Sequence, residues 1–238
     1  MIRKISVLVV TLIVLLGFSH TSEAVVINGG SNLLSAPYAT QLETWLGEGS
    51  IDLTNIFSHE LGDGKTSADF HTSSDGMGRT FSVIEVLATK GNEHQIIGGY
   101  NPQSWNQLSD YNYTPNDADR TAFLFNLTNT FVQLQKLGVF EGLYQTYTSN
   151  SYGPSFGVGH DLFVNSSLSM GYAYEYTYGT GINVSNIIGG TFVWDGIDFG
   201  KIEVFTIGEA ATVPEPSTYL LLGSGILGLA VWRRRRKG

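Results

Sequence analysis

Residues 80–100 read Thr80-Phe81-Ser82-Val83-Ile84-Glu85-Val86-Leu87-Ala88, then a polar link over 89–94, then Gln95-Ile96-Ile97-Gly98-Gly99-Tyr100. Two runs rich in Val, Ile and aromatics around a Gly-containing connection predict two adjacent β-strands. The same pattern extends downstream. Thr121 to Leu127, Gly142 to Thr148, Asp161 to Val164, Met170 to Tyr178, Thr191 to Trp194 and Lys201 to Ile207 are short apolar or alternating runs between Gly, Asn, Asp and Pro. Helical spacing is confined to the upstream side, where Tyr38, Leu42, Trp45 and Leu46 predict a short amphipathic helix over 37–47 and Ser67-Ala68-Asp69-Phe70 a second. No helix is long enough to connect neighbouring parallel strands. The expected fold is therefore mainly β, a two-sheet antiparallel sandwich flanked by small helices.

The ends of the 238-residue chain read differently from its middle. Arg3 and Lys4, the apolar stretch Ile5 to Phe18 and the small-residue finish Ser22-Glu23-Ala24 form a secretory signal peptide over 1–24. At the other end, Pro214-Glu215-Pro216 precedes an apolar run from Tyr219 to Trp232, followed by Arg233, Arg234, Arg235, Arg236 and Lys237. Prolines interrupt regular structure, the run is long enough for a short membrane helix, and the cations hold its end on the cytoplasmic side. The expected organisation is a leader over 1–24, one domain over 25–212 and a C-terminal membrane segment over 213–238.

Composition narrows the chemistry. The chain has no Cys, which excludes disulfides, thiolate metal sites and a Cys nucleophile. Between residues 25 and 213 there are six cations, Lys65, Arg79, Lys90, Arg120, Lys136 and Lys201, against 19 acids, a net −13. Such a surface repels phosphate backbones, so nucleic acid is not an expected partner.

The tripartite tail resembles the PEP-CTERM sorting signal of Gram-negative bacteria that make exopolysaccharide, with Pro214, Glu215 and Pro216 as the motif, Gly223 to Gly228 in the helix and the Arg cluster as its stop. The resemblance implies recognition by an exosortase-type protease, transient anchoring in the inner membrane, and release or attachment at the cell surface. The middle resembles a TLDc domain. The words that carry this are Asp63-Gly64, Ser67 to His71, Asp75 to Thr80, Ile97 to Tyr100 with Ser104-Trp105, Ala122 to Leu127, Gly153 to Leu162 and Ile202 to Phe205, in the family's order. The resemblance implies a β-sandwich with small helices, in a family known from oxidative-stress proteins and proton-pump regulators of eukaryotes. Those proteins are not exported, and the family's frequent Cys is Ser74 here, which removes a thiol-based role.

Several residues invite a catalytic or binding reading. Gly153-Pro154-Ser155-Phe156-Gly157 matches the hydrolase G-x-S-x-G, but no acid separates Ser155 from His160, and Pro154 argues against the strand-turn-helix context. His160 beside Asp161, and His71 between Asp69 and Asp75, form a candidate polar centre, with satisfied turn histidines as the alternative. His59-Glu60-Leu61-Gly62-Asp63 lacks the second His of a zinc helix. Asp195-Gly196-Ile197-Asp198 lacks the acid spacing of a Ca²⁺ loop. Neither metal nor cofactor is expected. Tyr172, Tyr174, Tyr176 and Tyr178 alternate, which on a strand places four rings on one face, either as core or as a candidate ligand platform. Trp105 and Trp194 read as packing residues.

These readings lead to an exported, non-enzymatic binding module of the cell surface or extracellular matrix. Its expected partners are exopolysaccharide or envelope protein, besides the secretion machinery and the exosortase-type protease. The competing expectation is a hydrolase or lyase acting on polysaccharide through His71, His160 and nearby acids.

Overall fold

The computed structural model describes residues 25–181, 185–190 and 196–209, together with Ser224 and Arg233. The expected leader and the sorting motif Pro214, Glu215 and Pro216 lie outside the described residues, as do Trp194, Arg234, Arg235, Arg236 and all of the expected membrane run except Ser224. Among the described residues no helix is long and apolar enough to cross a membrane.

The first helix, α1 (Ala36–Leu46), has Pro37 in its first turn and ends at Gly47, whose φ of 74° supplies the left-handed cap. The second, α2 (Ser67–Ser74), begins where the Asp69 carboxylate accepts from the backbone N–H of Thr66 at 2.8 Å. Among the described residues of 25–209 the rest of the regular structure is strand, apart from two short 3₁₀ turns. The strands are β1 (Val26–Asn28), β2 (Ile51–His59), β3 (Thr80–Val86), β4 (Gln95–Asn101), β5 (Asp110–Tyr113), β6 (Phe123–Asn126), β7 (Phe131–Leu134), β8 (Tyr144–Thr148), β9 (Leu162–Val164), β10 (Met170–Ala173) and β11 (Ile197–Glu209).

The large sheet runs β1-β2-β11-β3-β4-β6-β7, with β10 and β9 continuing from one end of β11, and β5 pairs β8 in a small second sheet. All pairings are antiparallel except β1 with β2, so the large sheet is mixed. Both of its faces are buried, which requires two cores. Leu42 of α1 packs with Leu34, Phe81, Tyr100, Phe125 and Phe205 in the first. On the opposite face Phe57, Phe70, Ile84, Ile97, Trp105, Phe156 and Val204 pack between the sheet, α2 and the layer around the small sheet. Each such side chain contributes about 1.5–3 kcal/mol by leaving water. Bridges from Phe156 to Thr146 and to Leu162 tie β8 to β9, so the small sheet is fastened across the second core.

Strand β2 was not apparent in the sequence. Val204 pairs with Phe57 and Phe205 with Asn55, leaving Ile56 as the extra residue of a bulge. Ile51 and Leu53 therefore face one core and Phe57 the other, which destroys a simple period of two.

The run expected as a strand from Met170 to Tyr178 stops at Ala173. Beyond it, the backbone N–H groups of Tyr176, Thr177 and Tyr178 donate to the Asp161 carboxylate at 2.7, 3.0 and 2.9 Å, so they are spent on a side chain rather than on a neighbouring strand. The four tyrosines do not share one face.

Candidate functional site: an aromatic face around His160

Tyr178 is fully buried, its hydroxyl donating to the Gln145 carbonyl, and it belongs to the second core. Tyr174 and Tyr176 stack on each other with centroids 6.2 Å apart. Tyr172 departs from the ladder altogether. It stacks on Phe163 at 4.8 Å, and Phe163 stacks on the His160 imidazole at 5.3 Å.

His160 sits amid rings from four strands and a loop. Tyr147 of β8 lies 5.4 Å from it, Tyr152 of the following loop 5.8 Å, Tyr111 of β5 6.4 Å and Tyr172 of β10 6.3 Å. The band continues through contacts of Tyr111 with Tyr144 at 5.2 Å and of Tyr144 with Phe140 at 5.6 Å. Tyr113 and Phe140 are exposed, and Tyr111, Tyr144, Tyr147, Tyr152, Phe163 and Tyr172 are half-buried, so the band forms part of the surface. Pairing explains it. Tyr111 opposes Tyr147 and Tyr113 opposes Tyr144 across β5 and β8, and directly opposed residues share a face of an antiparallel pair.

The imidazole is held by an unusual backbone. His160 has φ of 65°, in the left-handed region, where His is better tolerated than most residues. Enclosure among the rings pushes its pKa below the ordinary value, partly opposed by the Gly157 carbonyl, so the neutral ring is favoured. Nδ1 is buried without a hydrogen-bond partner of good geometry. Burial pushes the Tyr172 phenol up to about 12, which keeps it protonated.

Asp161 points the other way. It is fully buried, and burial lifts its pKa to about 7 against the three N–H donors and Lys136, which favour the anion. Its partners hold the segment carrying Tyr174 to Tyr178, so it organises the neighbourhood without reaching the surface.

His71 lies elsewhere. Its Nδ1 meets Asp75 Oδ1 at 2.7 Å, and its Nε2 meets the carbonyls of Ser149 at 2.8 Å and Tyr152 at 3.2 Å. This buried ring pins the 149–152 turn, while Tyr152's ring touches His160. The two histidines thus lie on either side of one loop and share no acid. A groove of about 770 Å³ beside β7, lined by residues such as Leu134, Val139 and Glu175, contains neither.

The remaining candidates have local partners. Ser155 is buried and donates to the Gly153 carbonyl at 3.1 Å. His59 ends strand β2 and meets Asp63 at 2.8 Å, outside any helix. Asp198 pairs with Lys90 at 2.8 Å and accepts from Thr89 at 2.8 Å. Trp105 is a core residue whose Nε1–H donates to Thr80 at 2.9 Å. Tyr111, Tyr147, Tyr152 and Phe163 were not singled out in the sequence. The local signal for Tyr111 and Tyr147 is the pair of short Tyr-containing strands, Asp110-Tyr111-Asn112-Tyr113 and Tyr144-Gln145-Thr146-Tyr147.

With this geometry in place, comparison with known families gives two matches. A model described as the TLDc domain matches residues 27–208, and one described as the PEP-CTERM protein-sorting motif matches residues 212–236. A comparison with curated proteins gives no match.

Proposed function

Because the chain belongs to the TLDc family and carries a PEP-CTERM sorting motif, which implies export and processing by exosortase-type machinery, we propose that it is a binding module displayed at the cell surface or in the extracellular matrix. Residues 1–24 are its signal peptide in this reading, and its ligand is a polysaccharide or protein of the envelope. The observation that carries the proposal is the half-exposed aromatic band around His160. Rings held by stacked and edge-to-face neighbours present broad apolar faces with polar rims at little entropic cost, which suits an amphipathic ligand.

A hydrolase or lyase acting through both histidines has less support, since His71 is sealed by Asp75 and two carbonyls and does not reach His160's surface. The reading is tested on the exported, processed protein with the producer's own polysaccharide and envelope proteins. Tyr147→Ala combined with Tyr172→Ala should weaken binding by on the order of 1 kcal/mol per ring while near-ultraviolet dichroism stays native. Undiminished binding by the folded double variant would remove the band as the ligand face. A reproducible glycan-cleaving activity lost in folded His160→Ala would replace the proposal with the enzymatic one.

A further inference from the structure

All six cations of the domain are already engaged. Lys65 pairs with Asp63, Arg79 with Glu48, Lys90 with Asp198, Arg120 with Asp117 and Lys201 with Glu60. Lys136 donates to the carbonyls of Tyr176 and Gly181. The domain around them carries a net −13, and the one cation–ring contact among the described residues sets Lys65 over Phe57, a residue of the second core and not of the band. The charged residue adjoining the band at Tyr111 is the exposed Asp110.

Resting on the aromatic-face reading, we propose that the site around His160 takes an uncharged glycan and rejects glycans bearing carboxylate, sulfate or phosphate groups. An anionic sugar needs a cation or a cluster of free donors to replace its lost hydration, and here it meets like charge instead. A neutral sugar needs only ring faces for its C–H groups and a few polar atoms for its hydroxyls. The band supplies the faces, the phenols supply rim hydroxyls, and the neutral imidazole supplies one central polar contact. Since Nδ1 is enclosed, Nε2 is the nitrogen left to meet a sugar hydroxyl.

The test uses the exported, processed protein with four defined probes, a β-glucan, a galactomannan, chitosan and alginate, at low and high NaCl. At least one neutral probe should bind, with affinity changing less than about threefold between the two salts, because no ion pair is made for salt to screen. Alginate should bind at least about tenfold more weakly. Asp110→Lys, at an exposed position beside Tyr111, should raise alginate affinity at low salt and lose that gain at high salt. Preference for alginate, or salt-sensitive preference for chitosan, overturns the charge rule while leaving the aromatic face intact if Tyr147→Ala still weakens binding. Binding to an envelope protein with no binding to any of the four glycans also overturns it. Glycan binding that is indifferent to Tyr147→Ala and Tyr172→Ala in folded protein fails at the earlier step, the choice of face.

Discussion

His160 and Asp161 are neighbours in sequence and opposites in environment, and the alternation of a loop turning through a left-handed residue separates them. Burial raises the Asp161 pKa to about 7 from 3.8, so the folded protein binds that proton more tightly than the unfolded chain. Its contribution to stability is therefore full below about 3.8 and is lost as pH rises through 7. His160 works in the other direction. Its folded pKa lies below 6.5, so its contribution is present above 6.5 and is lost as pH falls through the folded value. From pH 6.5 upward only Asp161 of the two still changes, and stability should fall toward about pH 8. Asp161→Asn removes that falling limb. It also costs about 1–3 kcal/mol where the wild-type group is ionised, since a carboxamide oxygen cannot serve three N–H donors and its NH₂ group faces one of them. Denaturant unfolding at several pH values checks both effects, and an unchanged pH slope in the variant would reassign the limb to another group. The sequence marked these two residues as a pair but could not show that they face apart, because that depends on where residues 176–178 return.

At the scale of elements, β4 shows what a sequence can disclose. Ile97-Gly98-Gly99-Tyr100 was readable as a strand, and its glycines have separate reasons. A Cβ at Gly98 would lie 1.9 Å from the Ser82 carbonyl oxygen, on the neighbouring backbone. A Cβ at Gly99 would lie 2.6 Å from the Phe156 ring, the residue that ties the small sheet across the second core. Gly98→Ala must displace backbone and should cost at least about 3 kcal/mol. Gly99→Ala pushes only a ring and should cost about 1–3 kcal/mol. Thermal unfolding of the two variants gives the order, and equal losses would mean that Phe156 is as immovable as the β3 backbone. The helices, β3, β4, β6 and the main part of β11 were legible because each is locally consistent in pattern and flanking turns. Strand β2 was hidden by a bulge that exchanges its faces, and β5 by its polar sequence. The aromatic band was hidden for a deeper reason. Its rings come from residues 111 to 172 and become neighbours only through the β5–β8 register and the closure of β9 on β10.

At the scale of the whole molecule, the acidic domain and the cationic end have different destinations. The full chain has a net charge of −8, a balance that includes Arg3 and Lys4 at the start and five cations from Arg233 to Lys237. In the proposed processing, removal of both ends would leave the −13 of residues 25–213, a surface suited to staying dispersed among neutral polymers and repelled by anionic ones. The PEP-CTERM motif over 212–236 makes the second removal the decisive one, because an uncut tail keeps its apolar run and its cations together. Changing Pro214, Glu215 and Pro216 to Ala in a host with the matching protease should leave the protein in the membrane fraction, with a mass that includes the tail. The processed wild type should focus at a more acidic pH than the value of about 5.0 set by the full sequence, and the variant should focus above the wild type because five cations remain. Identical mass, fractionation and focusing position for the two proteins would show that the three residues do not direct cleavage. A wild type that keeps its tail in such a host would make the C-terminal segment a permanent anchor, and the aromatic face would then act only within reach of the membrane.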